Sequence, residues 1–113
     1  MIPQIHPRDL TAWLETARTL GEPLVLDVRE PWEWQTASIR PEGFTLQHLP
    51  MRAVPVRLAE LDRSRPIACL CHHGGRSMQV ASFLKQHGFD HVANVTGGID
   101  AWSREVDASV PRY

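Results

Sequence analysis

At 113 residues, with 42% hydrophobic and 22% charged residues, the chain has the composition of a globular protein rather than a disordered one. Its formal net charge of -1 offers no basic surface for nucleic acid or for an anionic membrane. No apolar run approaches the length of a membrane span, and a chain this long buries enough surface to fold as one domain, residues 1–113, without a metal or a disulfide framework.

The opening MIPQIHPRDL lacks the apolar core of a signal peptide, so a cytoplasmic setting is expected. Within it, Ile2 to Ile5 fits a short edge strand bordered by prolines. From Pro7 to Leu20, Leu10, Trp13, Leu14 and Ala17 recur at helical spacing, with Pro7 suited to the first turn and Gly21 to the stop. Leu24 to Val28 (LVLDV) reads as a buried strand. Glu30 to Gly43 shows no clear period, and its Trp32 and Trp34 read as packing residues. Leu46 to Leu49 fits a further strand, and Val54 to Leu61 a helix. Ile67 to Cys71 (IACLC) is a second buried strand, followed by a helix over Arg76 to His87 that Gly88 closes. Val92 to Val95 is the last strand and Ile99 to Arg104 the last helix. His87 and His91 fall at a helix end and a strand start, as surface residues. Strands alternating with helices predict an α/β fold of three layers, with a central, mostly parallel sheet of about five strands.

Chemistry concentrates in CLCHHGGRSMQ, Cys69 to Gln79. Cys69 and Cys71, one residue apart in a strand, would lie about 6.6 Å from each other, near the limit for a disulfide. His72, His73, Gly74 and Gly75 must form the tight connection at the strand's C-terminal end, the edge of an open α/β sheet where ligands bind. The two glycines let successive N–H groups converge on one point. The helix that starts near Arg76 adds unpaired N–H groups and its positive dipole end. Cys71 stands at the mouth of this anion site. Such surroundings bring a cysteine pKa from about 8.5 down to roughly 3.5–7.5, so Cys71 is expected to be a nucleophilic thiolate near neutrality. Cys69, in mid-strand, reads as core filler.

The loop Cys71–His72–His73–Gly74–Gly75–Arg76–Ser77 resembles the active-site loop of the rhodanese family of sulfurtransferases, in which a cysteine precedes an arginine by four residues. LVLDVREPWEW (Leu24 to Trp34) is similar to the family's strand and acidic turn, Phe89 to Val95 to the strand after its active-site helix, and TGGIDAW (Thr96 to Trp102) to its Gly-Gly-x-x-Ala-Trp ending. The resemblance implies a rhodanese-like domain in which Cys71 carries sulfane sulfur as a persulfide, taken from thiosulfate or a persulfide donor and passed to a thiol or to cyanide, with no cofactor. A sulfur-relay protein could serve as partner. Related phosphatases of this fold use a loop one residue longer, so the four-residue spacing favours sulfur over phosphate.

Under this resemblance, Arg76 either faces the bound anion or braces the loop, and Ser77 starts the helix. Asp27 and Arg29 reach the same sheet edge, chiefly as a buried ion pair, and Gly97 and Gly98 form a turn that touches the loop. Two departures stand out. The family's Gly-His stretch is replaced by Ala37 and Ser38 within a longer connection to Met51, and His72 and His73 stand where Arg or Lys and a small residue are common. Neutral histidine attracts an anion weakly, which favours a persulfide donor over thiosulfate. Two other readings compete. A zinc site lacks the second ligand pair such sites use. A non-enzymatic interaction or regulatory module, or a protein-to-protein sulfur carrier, remains the alternative function.

Overall fold

The computed structural model describes residues 1–113. Five strands, β1 (Gln4–Ile5), β2 (Leu24–Asp27), β3 (Thr45–His48), β4 (Ile67–Leu70) and β5 (Val92–Val95), form one sheet in the order β1-β5-β4-β2-β3. Every neighbouring pair is parallel. The three central strands β2, β4 and β5 are buried along their whole length, which explains their unbroken apolar runs.

Side chains alternate across the sheet and divide the core in two. Leu24, Leu26, Ile67, Cys69, Cys71 and Val92 face Val80, Ala81 and Leu84 of α3 (Gly75–Gln86). Val25, Ala68, Leu70 and Val95 face Leu10 and Leu14 of α1 (Leu10–Ala17) and Ile99 and Trp102 of α4 (Gly98–Glu105). The predicted three-layer α/β/α sandwich with a parallel sheet is therefore the observed architecture. No helix is long and apolar enough to cross a membrane.

The chain leaves β2 toward β3 on one side and β4 toward β5 on the other. The crevice between the C-terminal ends of β2 and β4 is thus the topological switch point. The sequence carries Asp27 and Arg29 to one lip and Cys71 to the other.

Several elements differ from expectation. The first strand pairs only over Gln4–Ile5. The helix expected over Pro7 to Leu20 is a 3-10 turn at Pro7–Asp9 leading into α1, which ends at Ala17. The helix expected over Val54 to Leu61 does not form; 3-10 turns at Met51–Ala53 and Leu58–Glu60 replace it. Pro55 has no N–H and its ring obstructs the preceding turn, so a regular helix through this stretch is costly. The unreadable stretch after β2 contains a short helix, α2 (Pro31–Thr36), with Pro31 in its first turn and the Glu33 carboxylate accepting the Glu30 N–H at 3.0 Å. Trp34 is half-buried and stacks on His48 with ring centroids 4.5 Å apart. Trp32 is 61% exposed, in a T-shaped contact with Tyr113, so it is not a core residue.

Candidate active site

Cys71 lies one residue past β4, and its side chain turns to the α3 face. The loop then reverses at Gly74, whose φ of +107° suits glycine, and enters α3 at Gly75. The Cys71 Sγ accepts the Gly74 N–H at 3.1 Å and lies 3.2 Å from the Ser77 hydroxyl. The residue is 1% exposed, beneath the loop. Cys69, on the same face one strand repeat earlier, is fully buried, and burial pushes its thiol up to about 12.

A second helix start holds the other side of the loop. The first N–H groups of α4 donate to it, Ile99 to the Cys71 carbonyl at 2.9 Å and Asp100 to the His72 carbonyl at 3.1 Å. Two helix N-termini therefore meet at one four-residue loop: α3 begins beside the sulfur, while α4 takes up the Cys71 and His72 carbonyls.

Arg76 makes no hydrogen bond to the loop carbonyls and lines the cleft beside the loop. Its guanidinium forms a two-pronged pair with Glu33 of α2 at 2.7 and 2.9 Å. The bonds from Arg76 hold the Glu33 carboxyl at about 2 against the opposing effect of burial. Tyr113 donates to the same carboxylate at 2.7 Å and accepts from Arg29 at 2.8 Å. Arg29 and Asp27 form a fully buried ion pair at 2.8 Å, and Arg29 also donates to the Ala37 carbonyl at 2.9 Å. An unbroken line of charge-assisted bonds thus runs from Asp27 through Arg29, Tyr113 and Glu33 to Arg76 on the side of the Cys71 loop.

His72 packs between two rings, Tyr113 at 3.9 Å and 8° and His73 at 3.9 Å and 24°. Burial, with His73 alongside, lowers the His72 pKa and favours neutral imidazole. His73 and Gly75 are exposed. The ligand atoms of His72, His73 and Asp100 lie within 4.8 Å of one another. Stacked rings, however, direct their in-plane lone pairs side by side rather than toward one ion, and Asp100 is engaged by Arg112 at 3.0 Å and Arg104 at 3.4 Å. Beside the loop, Val28, Glu30, Met51, Arg52, Pro55 and Arg76 line a cleft of about 480 Å³. Its two arginines are both paired, Arg76 with Glu33 and Arg52 with Glu30 at 2.9 Å.

Gly97 and Gly98 both have positive φ, and a side chain on Gly98 would strike the Cys71 and His72 carbonyls, so this turn does touch the loop. Sequence reasoning missed Glu33, Tyr113 and Asn94. Glu33 had a local signal, an acid two residues after Pro31 at a helix start. Asn94, an amide in the middle of a buried strand (VANV), announces a polar partner it must find. Tyr113 had no local signal.

Residues 7–105 match the family model described as "Rhodanese-like domain". A curated relative from Arabidopsis thaliana, "Rhodanese-like/PpiC domain-containing protein 12, chloroplastic", is 37% identical over 116 residues; the match covers 99% of this chain and 38% of that protein. A protein from Allochromatium vinosum named "Sulfurtransferase" is 37% identical over 81 residues, 72% of each chain. Among solved structures, a rhodanese-related protein from Thermoplasma volcanium superimposes with a TM-score of 0.74 at 32% identity, covering 92% of this chain and 93% of that one. With the Cys71 loop, the parallel sheet and the two helix starts in the arrangement just described, the chain belongs to the rhodanese-like domain family.

Proposed function

We propose that the chain is a sulfurtransferase that carries sulfane sulfur on Cys71. The observation that carries this reading is the Cys71 Sγ seated at the start of α3, with the Gly74 N–H and the Ser77 hydroxyl both within hydrogen-bonding distance. An N–H aimed at the sulfur, with a hydroxyl able to turn toward it, suits the attacking thiolate and equally the negative terminal sulfur of a persulfide.

In the first half-reaction the Cys71 thiolate attacks the outer sulfur of the donor. A new S–S bond forms at Sγ, the donor's own bond to that sulfur breaks, and its electron pair leaves on sulfite or on an organic thiolate. In the second, an acceptor thiolate or cyanide attacks the terminal sulfur and Cys71 departs as thiolate, restoring the start. Because Cys71 is 1% exposed, the loop rim must part for the donor to enter.

The preferred donor is an uncharged or organic persulfide rather than thiosulfate. Both arginines of the adjoining cleft are neutralised by glutamates, and His72 is held neutral, so little free positive charge awaits a dianion. Intact mass after brief exposure to a low-molecular-weight persulfide should show one added sulfur, removed by cyanide, absent in Cys71→Ser and retained in Cys69→Ser. Thiosulfate should load the same site more slowly. No added sulfur with either donor would refute the activity, and faster loading by thiosulfate would refute the donor preference.

A further inference from the structure

The Ser77 hydroxyl carries one proton and has more acceptors than it can serve. It is 3.2 Å from the Cys71 Sγ, 3.3 Å from the Gly74 carbonyl, and in a short contact with Asn94 Oδ1. Asn94 sits on β5, 3% exposed, one strand over from β4. The orientation of its amide follows from its neighbours. The Gly74 carbonyl can only accept, so the Asn94 atom 3.2 Å from it must be the NH₂ group, which also donates to Gln4 Oε1 at 2.9 Å. The Gln4 amide is oriented in turn by its Nε2, which donates to the Ile2 carbonyl at 3.4 Å, and its Oε1 also accepts from the Thr96 hydroxyl at 2.9 Å. Asn94 Oδ1 is therefore left facing Ser77, and an amide oxygen can only accept.

When Ser77 donates to Asn94, its lone pairs are what the Cys71 sulfur meets. That arrangement suits a thiol, whose S–H can donate to the Ser77 oxygen, and opposes a thiolate, which needs a proton aimed at it. On ionisation the hydroxyl must swing from Asn94 to Sγ, and Asn94 Oδ1 then loses a buried partner.

We propose that Asn94 is a positioning residue that sets the charge state of Cys71 by competing with its sulfur for the single hydroxyl proton of Ser77. The inference rests on the reading of Cys71 as the sulfur carrier. Asn94 acts as a brake: by holding the Ser77 proton it opposes the thiolate until a donor or a loop movement draws that proton to Sγ. Its amide simultaneously ties the Gly74 carbonyl away from the anion site. The other groups around Cys71 are the buried Cys69 thiol on β4, His72 and His73 in the loop, Arg76 on α3 with its partner Glu33 on α2, and Asp100 on α4. None of them contacts the Ser77 hydroxyl, so the competition can be isolated.

The test is the pH dependence of Cys71 alkylation by iodoacetamide, with Cys69→Ser as the common background, because alkylation needs the thiolate but no sulfur transfer. Failure to load sulfur would therefore refute the activity and leave this measurement standing. Asn94→Ala and Asn94→Leu should each move the midpoint of the rate profile down by about one pH unit, the worth of one hydrogen bond to a charged atom. The shift should vanish when Ser77→Ala is added. In the unaltered chain, the side-chain carbonyl carbon of Asn94 should change its NMR shift with the same midpoint as Cys71 alkylation, a readout that needs no variant to fold. An unchanged or higher midpoint in the Asn94 variants, a shift that survives Ser77→Ala, or an Asn94 carbonyl blind to the Cys71 titration would each overturn the proposal.

Discussion

Glu33 ties α3, the helix that follows the Cys71 loop, to the rest of the molecule. It takes two bonds from Arg76 and one from Tyr113, and the first of these hold its carboxyl at about 2, below its ordinary 4.5. A carboxyl depressed on folding stabilises the native state above its unfolded value, and that contribution fades as pH falls through the folded one. The window here runs from about pH 4.5 down to about 2. Glu33→Gln should be less stable at neutral pH, because Arg76 loses its counter-charge. It should also lose less stability than the unaltered chain across that acid window, by on the order of 2 kcal/mol. Urea unfolding at pH 7, 4.5 and 2.5 measures both effects, and equal acid slopes for the two proteins would contradict the assignment. At this scale Cys71, Asp27 and Arg29 were legible because each follows an apolar run that could only be a buried strand. Arg76's partner was not legible: Glu33 lies 43 residues earlier, and no local pattern pairs the two.

At the scale of elements, the loop is shaped by two helix starts facing one another. The α3 start supplies an N–H for the sulfur, and the α4 start donates to the Cys71 and His72 carbonyls. Gly98 makes this closeness possible. It has φ +60°, and an added Cβ would run into the Cys71 and His72 carbonyl oxygens, which the Ile99 and Asp100 N–H groups must approach. Gly98→Ala should cost more than about 2 kcal/mol in denaturant unfolding, from backbone strain and the carbonyl clash together. It should also slow sulfur loading on Cys71, and a fully stable, normally loading variant would show that α4 does not clamp the loop. Strand and helix types were readable wherever apolar residues kept a period. Between β3 and β4 the period misled, because Val54, Leu58 and Leu61 recur as in a helix while Pro55 breaks the backbone hydrogen bonding that a helix requires.

At the scale of the whole molecule, residues after α4 fold back over the sheet edge. Val110 joins the α1–α4 core, Arg112 pairs with Asp100 at 3.0 Å, and Tyr113 stacks on His72 while its hydroxyl bridges Arg29 and Glu33. Burial raises the Tyr113 hydroxyl to about 12, so it remains a donor across the working range. This segment lies outside the family match, which ends at residue 105. Tyr113→Phe keeps the ring stack and removes the bridge. It should destabilise by about 1–2 kcal/mol, a drop of several degrees in Tm, while Tyr113→Ala should cost more and increase the reactivity of Cys71 toward a bulky alkylating reagent by uncovering His72. Identical melting and alkylation for all three proteins would rule out a bracing role for this segment.

The alternation of strand and helix, the parallel sheet and the place of Cys71 at its C-terminal edge were all readable in the order of residues. Those properties depend on periodicity, on glycine and on turns, which act between residues a few positions apart. The pairing of Arg76 with Glu33, the stacking of Tyr113 on His72 and the place of the Ser77 hydroxyl between Asn94 and Cys71 came from the folded chain alone. Each of these pairs joins residues distant in the chain. Their meeting is set by strand order and by the layer in which each helix packs, and a run of letters does not record that geometry.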